Sequence, residues 1–109
     1  FYADGIGFGL TADLGTAVFF AAGEYHHHLA TNIWRGSGIP PQPDRVVGLA
    51  EWTLELPDRA ALAAVAARLA PHVTLTDDGD ALRGTDPAGI PFRAVLAAGA
   101  TPDGVSSAE

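Results

Sequence analysis

The stretch that decides the fold runs from residue 47 to residue 70 and reads VGLAEWTLELPDRAALAAVAARLA. Apolar side chains alternate along its first part, Val47–Leu56, which is typical of a half-buried strand. One predicted face of this strand carries Ala50, Trp52, Leu54 and Leu56. The opposite face carries Leu49, Glu51, Thr53 and Glu55. Pro57 is expected to end the strand, and Asp58 to cap the helix that follows.

The second part of this stretch predicts a helix over Asp58–Ala70, because Leu62, Val65, Ala66 and Leu69 recur at helical spacing before Pro71. Further strands are then expected at Val73–Thr76, Ala81–Thr85 and Ile90–Ala97. The turns between them are an acidic one at residues 77–80 and DPAG at residues 86–89. The predicted order of elements in the second half of the chain is therefore strand, helix, strand, strand, strand.

The first half of the chain predicts three strands, bounded by glycines, before a proline-rich loop at Arg35–Asp44. These strands are expected at Phe8–Ala12, Thr16–Ala22 and Tyr25–Trp34. If Phe1 and Tyr2 end a helix, the first half repeats the second without its opening strand and most of its helix. We therefore predict a mixed α/β (α+β) domain of paired βαβββ units over residues 1–98, with the first unit truncated at its N-terminus. Residues 99–109 are expected to be a disordered tail.

The composition excludes several classes of function. With 109 residues, 48% of them hydrophobic, and a formal net charge of −7, the chain can build one core but offers no basic stripe for nucleic acid. It has no cysteine, which excludes disulfides and thiolate metal sites. Its longest alanine-rich run is too short to span a bilayer. We expect no nucleic-acid or membrane partner and a cytoplasmic location.

Three consecutive histidines, His26, His27 and His28, lie in the third predicted strand. Imidazole is the commonest metal-ligating side chain, so the run is a candidate metal site. Strand alternation allows either His27 alone or His26 and His28 together to face inward. The alternative is a polar lining without metal, in which the histidines are hydrogen-bonded to Asn32, Tyr25 and the backbone.

Several of these segments together resemble the vicinal oxygen chelate superfamily, which includes glyoxalase I, bleomycin-resistance proteins and extradiol dioxygenases. They are the FY…GFG helix exit, the AAG-x-YHHH strand and the DP-x-G hairpin before the last strand. The segment FFAAGEYHHHLATNIW, followed by the proline-rich loop and GLAEWTLELPD, is most similar to the C-terminal half of catechol 2,3-dioxygenase-like proteins. The resemblance implies a half-open barrel whose concave face, the cup, holds a divalent metal and a small-molecule ligand.

The resemblance also implies where metal ligands would lie. The usual glutamate falls four residues after the glycine of the DP-x-G turn, where this chain has Arg93, and a guanidinium cannot ligate a cation. Glu51 takes the place of a ligand histidine, and the same count in the first unit reaches His27. The candidate metal ligands are thus His27 and Glu51, with His26 and His28 as alternatives. The expected cup-lining residues are Arg93 and Tyr25.

The function implied is that of a domain in a metal-dependent enzyme, extradiol dioxygenase-like or glyoxalase-like, that acts on a small molecule with vicinal oxygens. The metal would be Fe, Mn, Zn or Ni in the full-length protein. We do not expect it in this chain alone, because Arg93 beside Glu51 predicts a salt bridge in its place. The alternatives are a metal-free small-molecule-binding domain and a purely structural half. A bare sheet edge further predicts a homodimer or strand-exchanged oligomer.

Overall fold

The computed structural model describes residues 1–26 and 28–101, which divide into two compact units, Phe1–Pro40 and a second that begins at Pro41. The first unit contains a π-helix, Tyr2–Ile6, and strands β1 (Gly9–Asp13), β2 (Ala17–Ala21) and β3 (Leu29–Asn32). The second contains β4 (Trp52–Asp58), helix α1 (Arg59–Leu69), β5 (Thr76–Asp77), β6 (Ala81–Thr85) and β7 (Pro91–Thr101). In the part described, every helix is too short or too polar to cross a bilayer.

The first unit is a three-stranded antiparallel sheet in the order β1-β2-β3, preceded by a short helix. The π-helix ends at Gly7, which adopts the left-handed conformation (φ 98°) that favours glycine. Its Ile6 is buried together with Phe20 and Ala21 of β2. The ring of Tyr2 also lies 5.6 Å from that of Phe20. A helical segment therefore precedes the first strand, as the sequence predicts, but it runs from Tyr2 to Ile6 and does not end at Tyr2.

The second unit is a four-stranded sheet in the order β4-β7-β6-β5, and a crossover through α1 leads from β4 to β5 at the opposite edge of the sheet. Strands β4 and β7 are parallel, and a parallel pair needs such a crossover. Strands β5, β6 and β7 follow one another as antiparallel neighbours. The predicted βαβββ order and the mixed α+β class are confirmed.

Helix α1 forms where the sequence predicts it. The Asp58 carboxylate accepts a hydrogen bond from the Ala61 N–H at 2.8 Å, which satisfies one of the free donors at the helix start. Its buried side chains are Leu62, Val65 and Leu69. The sheet residues that are buried in the same unit are Leu82, Phe92 and Ala94. These six apolar side chains form the core on the helix side of the sheet.

Several predicted strand boundaries are wrong, and the strand predicted at Val73–Thr76 lies instead at Thr76–Asp77. The strand predicted at Val47–Leu56 begins only at Trp52, because the preceding residues form a loop in which Gln42 Nε2 donates to the Val47 carbonyl at 2.7 Å. It continues through Pro57, which an edge strand tolerates. Strand β7 extends to Thr101, beyond the predicted domain end at residue 98. The rest of the predicted tail, residues 102–109, lies outside the described residues.

The DPAG turn between β6 and β7 is held by a buried carboxylate. Asp86 is 5% exposed, and its Oδ1 accepts hydrogen bonds from the N–H groups of Ala88 at 2.9 Å and Ile90 at 2.8 Å. Gly89 has a φ of 87°, and a Cβ there would lie 2.7 Å from the Cβ of Pro41. The turn therefore requires glycine both for its backbone conformation and for the close approach of the proline-rich loop.

We predict that Gly89→Ala lowers the free energy of unfolding by at least about 1 kcal/mol more than Gly79→Ala does. Both glycines have a positive φ, so both substitutions carry a similar backbone strain of about 1–2 kcal/mol. A Cβ at Gly79 meets nothing within 4 Å, whereas at Gly89 it overlaps Pro41. Urea unfolding of the two variants measures the difference. Equal destabilisation would contradict the contact between Pro41 and the turn.

Candidate functional site

Two arginines lie side by side on the face of the four-stranded sheet opposite α1. The register pairs Arg83 of β6 with Arg93 of β7, and Arg93 with Thr53 of β4. Their neighbours Leu82 and Phe92 are buried on the helix side. Because side chains alternate along a strand, Arg83, Arg93 and Thr53 share the opposite face.

The Glu51 carboxylate lies between these two guanidinium groups. Glu51 immediately precedes β4, and its Oε1 is 3.6 Å from Arg93 Nε while its Oε2 is 3.8 Å from Arg83 Nη1. We call Glu51, Thr53, Arg83 and Arg93 the charged face. The ion pair between Arg93 and Glu51 that the sequence predicts is present, and Arg83 makes it a group of three charges.

The charged face has a repulsion that Glu51 offsets. Like charges directly opposite each other in an antiparallel pair are destabilising, and Arg83 and Arg93 are such a pair. Arg83 has a second acidic neighbour, since its Nε lies 3.8 Å from Asp78 Oδ2 in the β5–β6 turn. The Glu51, Arg83 and Arg93 side chains are between 37% and 48% exposed, so water screens these ion pairs and each stabilises by less than about 1 kcal/mol.

His26 and His28 lie in the first unit and outside any strand. His27 is not among the described residues, and His26 and His28 are exposed in the turn before β3. The prediction of a strand from Tyr25 is therefore wrong, since β3 begins at Leu29 after the turn at Gly23 (φ 68°). His26 and His28, which strand alternation would place on one face, lie in a turn instead.

The described histidines make local contacts. Nδ1 of His28 accepts a hydrogen bond from the Ala22 N–H at 3.2 Å, and its ring lies 4.7 Å from that of Tyr25. The ring of His26 lies 5.7 Å from that of Phe19. Tyr25, predicted to line the cup, is 64% exposed. These contacts give His28 a packing role and occupy one of its two possible ligand nitrogens.

The charged face does not fit a divalent metal ion. A catalytic metal usually keeps three protein ligands, and residues 1–26 and 28–101 contain no group of three or more His, Asp or Glu side chains that could hold one. Glu51 is the candidate ligand on this face, and each of its oxygens faces a fixed cation. A divalent ion beside two guanidinium groups would suffer like-charge repulsion in a half-buried site.

Sequence reasoning missed Arg83 as a member of this site. The signal was present in the DPAG hairpin, because counting outward from the turn pairs residue 85 with 91 and residue 83 with 93. A register argument therefore finds Arg83, whereas a search for ligand spacing does not. The ion pair between Asp78 and Arg83 depends on the conformation of the β5–β6 turn, so the sequence does not indicate it.

Comparisons with known proteins agree with this fold. No family model matches the chain. Its sequence is 41% identical over 71 residues, 63% of the chain, to catechol-2,3-dioxygenase of Bacillus subtilis strain 168, and the match covers 25% of that enzyme. The chain thus spans about a quarter of the length of this relative.

Two solved structures share the fold. Lactoylglutathione lyase from Agrobacterium tumefaciens superposes with a TM-score of 0.59 and 21% identity, over 88% of this chain and 80% of that one. A protein of unknown function from Agrobacterium tumefaciens strain C58 gives 0.54 and 25%, over 89% and 80%. The dioxygenase and the lyase both point to the vicinal oxygen chelate superfamily, and the resemblance predicted from the sequence is confirmed.

We predict that Glu51→Gln lowers the free energy of unfolding by about 0.5–1 kcal/mol at low salt, because it leaves Arg83 and Arg93 facing each other without a carboxylate. In about 1 M NaCl, where charges are screened beyond about 3 Å, the loss should shrink towards zero. Glu55→Gln is the matched control, since Glu55 lies exposed on β4 opposite Val95. Chemical unfolding at both salt concentrations measures the effect, and an equal loss in the control would contradict it.

Proposed function

We propose that this chain is a domain of a vicinal oxygen chelate enzyme, dioxygenase-like or glyoxalase-like, that acts on a small molecule with vicinal oxygens. The match to catechol-2,3-dioxygenase carries this proposal, because 41% identity over 71 residues includes most of the described chain. The fold shared with lactoylglutathione lyase supports the same superfamily. The cytoplasmic location stays a prediction.

The divalent metal of such an enzyme (Fe, Mn, Zn or Ni) would be held by ligands outside the charged face. Arg93 occupies the position where the superfamily resemblance places a ligand glutamate, and it pairs with Glu51 instead. In this proposal the charged face contributes fixed cations at the place where the resemblance puts a metal ligand. His27 belongs to the first unit, and its role as a metal ligand stays a prediction.

The second candidate is a domain that binds a small molecule without metal, and the two arginines of the charged face favour it. A guanidinium pair can hold a ligand's oxygens without any metal ion. A purely structural role for this chain is the third. The metal content of the full-length protein distinguishes these three functions. Stoichiometric metal supports the enzyme, and ligand binding without metal supports the binding domain. The structural role predicts that neither metal nor ligand depends on residues of this chain.

We predict that the chain purified as it stands holds no stoichiometric divalent metal and that Arg93→Glu introduces measurable binding. The substitution replaces a repelling cation with a second carboxylate beside Glu51, which gives the site two acidic ligands. Arg68→Glu, on helix α1, makes the same change in net charge elsewhere. Metal content by mass spectrometry, after incubation with each ion and desalting, measures the outcome.

Tight metal in the unsubstituted chain, with Glu51 bound to it, would show that the charged face is a metal site. Equal metal uptake by Arg93→Glu and Arg68→Glu would show that net charge alone governs uptake. In a longer protein that turns over substrate, activity should survive His27→Ala if the metal ligands lie outside this chain. Loss of metal in that variant would place a ligand at His27.

We predict that the chain forms a homodimer or a strand-exchanged oligomer at high micromolar concentration. Among the described strands, β3 ends its sheet, while the corresponding β7 of the second unit is covered by the parallel strand β4. Just after β3, Ile33 is 48% exposed and Trp34 73% exposed. An uncovered edge with apolar residues beside it is a surface for pairing with another chain.

Proline at Ala30 tests the role of this edge. The Ile33 N–H donates to the Thr16 carbonyl, so ladder alternation directs the Ala30 N–H away from β2. Ala30→Pro should therefore reduce association and leave β2–β3 paired, whereas Thr31→Pro should disrupt β3 itself. Sedimentation measures association, and a stable monomer of the unsubstituted chain at high micromolar concentration would contradict the prediction.

A further inference from the structure

We propose that Arg83 and Arg93 bind the oxyanion group, a carboxylate or a phosphate, of a small organic ligand on the charged face. This inference rests on the proposed function to the extent that both place a small molecule in this domain. It adds the chemical class of one ligand group and the residues that recognise it. The guanidinium fork of arginine matches the geometry of both oxyanions, which is why arginine is common where they are bound.

The position of Glu51 marks where such an oxyanion would lie. Its two carboxylate oxygens each face a different arginine, at 3.6 Å from Arg93 and 3.8 Å from Arg83. The chain's own carboxylate thus occupies the space between two cations that the sheet register holds opposite each other. A ligand oxyanion approaching from the solvent side meets the same pair of cations.

The two guanidinium groups keep their hydrogen-bond donors uncommitted. Within the described residues, neither the Arg83 nor the Arg93 side chain makes a hydrogen bond, and Arg93 Nε is buried without one. Arg59 shows the contrast in the same unit, since its guanidinium donates to Asp80 at 2.6 Å and to the Gly79 carbonyl at 2.9 Å. Arg59 has a structural role, whereas the arginines of the charged face can still donate to a ligand.

Both arginines are reachable and partly desolvated. Their side chains are 48% and 38% exposed, for Arg83 and Arg93 respectively, so a ligand can contact the outer nitrogens while the sheet excludes water beneath them. Partial burial strengthens a charge-assisted hydrogen bond over one in bulk water. Since the chain has a formal net charge of −7, anions are not attracted to its surface in general. Binding would therefore be confined to this pair.

The test is a titration of the 15N-labelled chain with inorganic phosphate and, separately, with benzoate. Ionic strength is held constant with sodium chloride, and amide shifts are followed by NMR. We expect saturable shifts at Thr53, Arg83 and Arg93 for one or both anions. Saturation with phosphate alone indicates a phosphate ester as the ligand, and saturation with benzoate alone indicates an organic acid.

Substitutions assign the binding to the charged face. Arg83→Gln and Arg93→Gln should each raise the dissociation constant about tenfold or more, since each removes one fork of donors. Glu51→Gln should lower it about threefold or more, because it removes the competing carboxylate. Arg68→Gln, with the same change in charge on helix α1, should leave it unchanged. If either glutamine variant loses its dispersed spectrum, Arg83→Lys and Arg93→Lys keep the charge and should still weaken binding.

Shifts that rise linearly and match those of added chloride would overturn the inference. So would an equal loss of affinity in Arg68→Gln, or an unchanged affinity in Glu51→Gln. These outcomes leave the proposed function standing, because that proposal is tested by metal content and turnover of a longer protein. Conversely, a protein without metal or turnover that still binds anions saturably would refute the enzyme proposal alone.

Discussion

The parallel pairing of β4 with β7 is the constraint on which the second unit depends. It joins residues about forty positions apart, from Trp52 opposite Phe92 to Leu56 opposite Leu96, and it stacks the rings of the first pair at 5.6 Å. Parallel strands need a crossover connection, and here it runs through α1, β5 and β6. Because this register fixes which side chains face α1, it also fixes which ones face away, and so it positions both the core and the charged face.

The fold follows from sequence where local signals agree with each other. Leu62, Val65 and Leu69 have helical spacing, Asp58 is a good cap and Pro71 stops the run, so the helix is predicted almost to the residue. The strand before it is predicted too early, because the apolar alternation continues through Val47 although that side chain is 97% exposed. Alternating apolar side chains show that a segment could form a strand. Where the strand begins depends also on the hydrogen bonds of the preceding loop.

The site is predicted only in part, for a related reason. The Arg93–Glu51 ion pair follows from matching positions to a known ligand pattern, and the structure contains it. Arg83 is found only through the register of a hairpin, and the contacts of His28 depend on a turn rather than on a strand. Contacts between residues of regular strands can be predicted from the sequence, because their side chains alternate with a fixed period. Contacts that depend on turn conformation need coordinates, because the backbone there follows no period.

The buried Asp86 has a consequence for how the β6–β7 hairpin can misfold. With its carboxylate bonded inside the DPAG turn, the hairpin has one strongly preferred alignment. A slip of one residue in either strand would turn that strand's arginine, Arg83 or Arg93, towards the apolar layer under α1 and expose Leu82 or Phe92 to water. Burying an unpaired guanidinium there would cost several kcal/mol. The two arginines thus destabilise any shifted register of the hairpin. A variant with apolar residues at both positions would allow shifted registers, even if its native state were more stable.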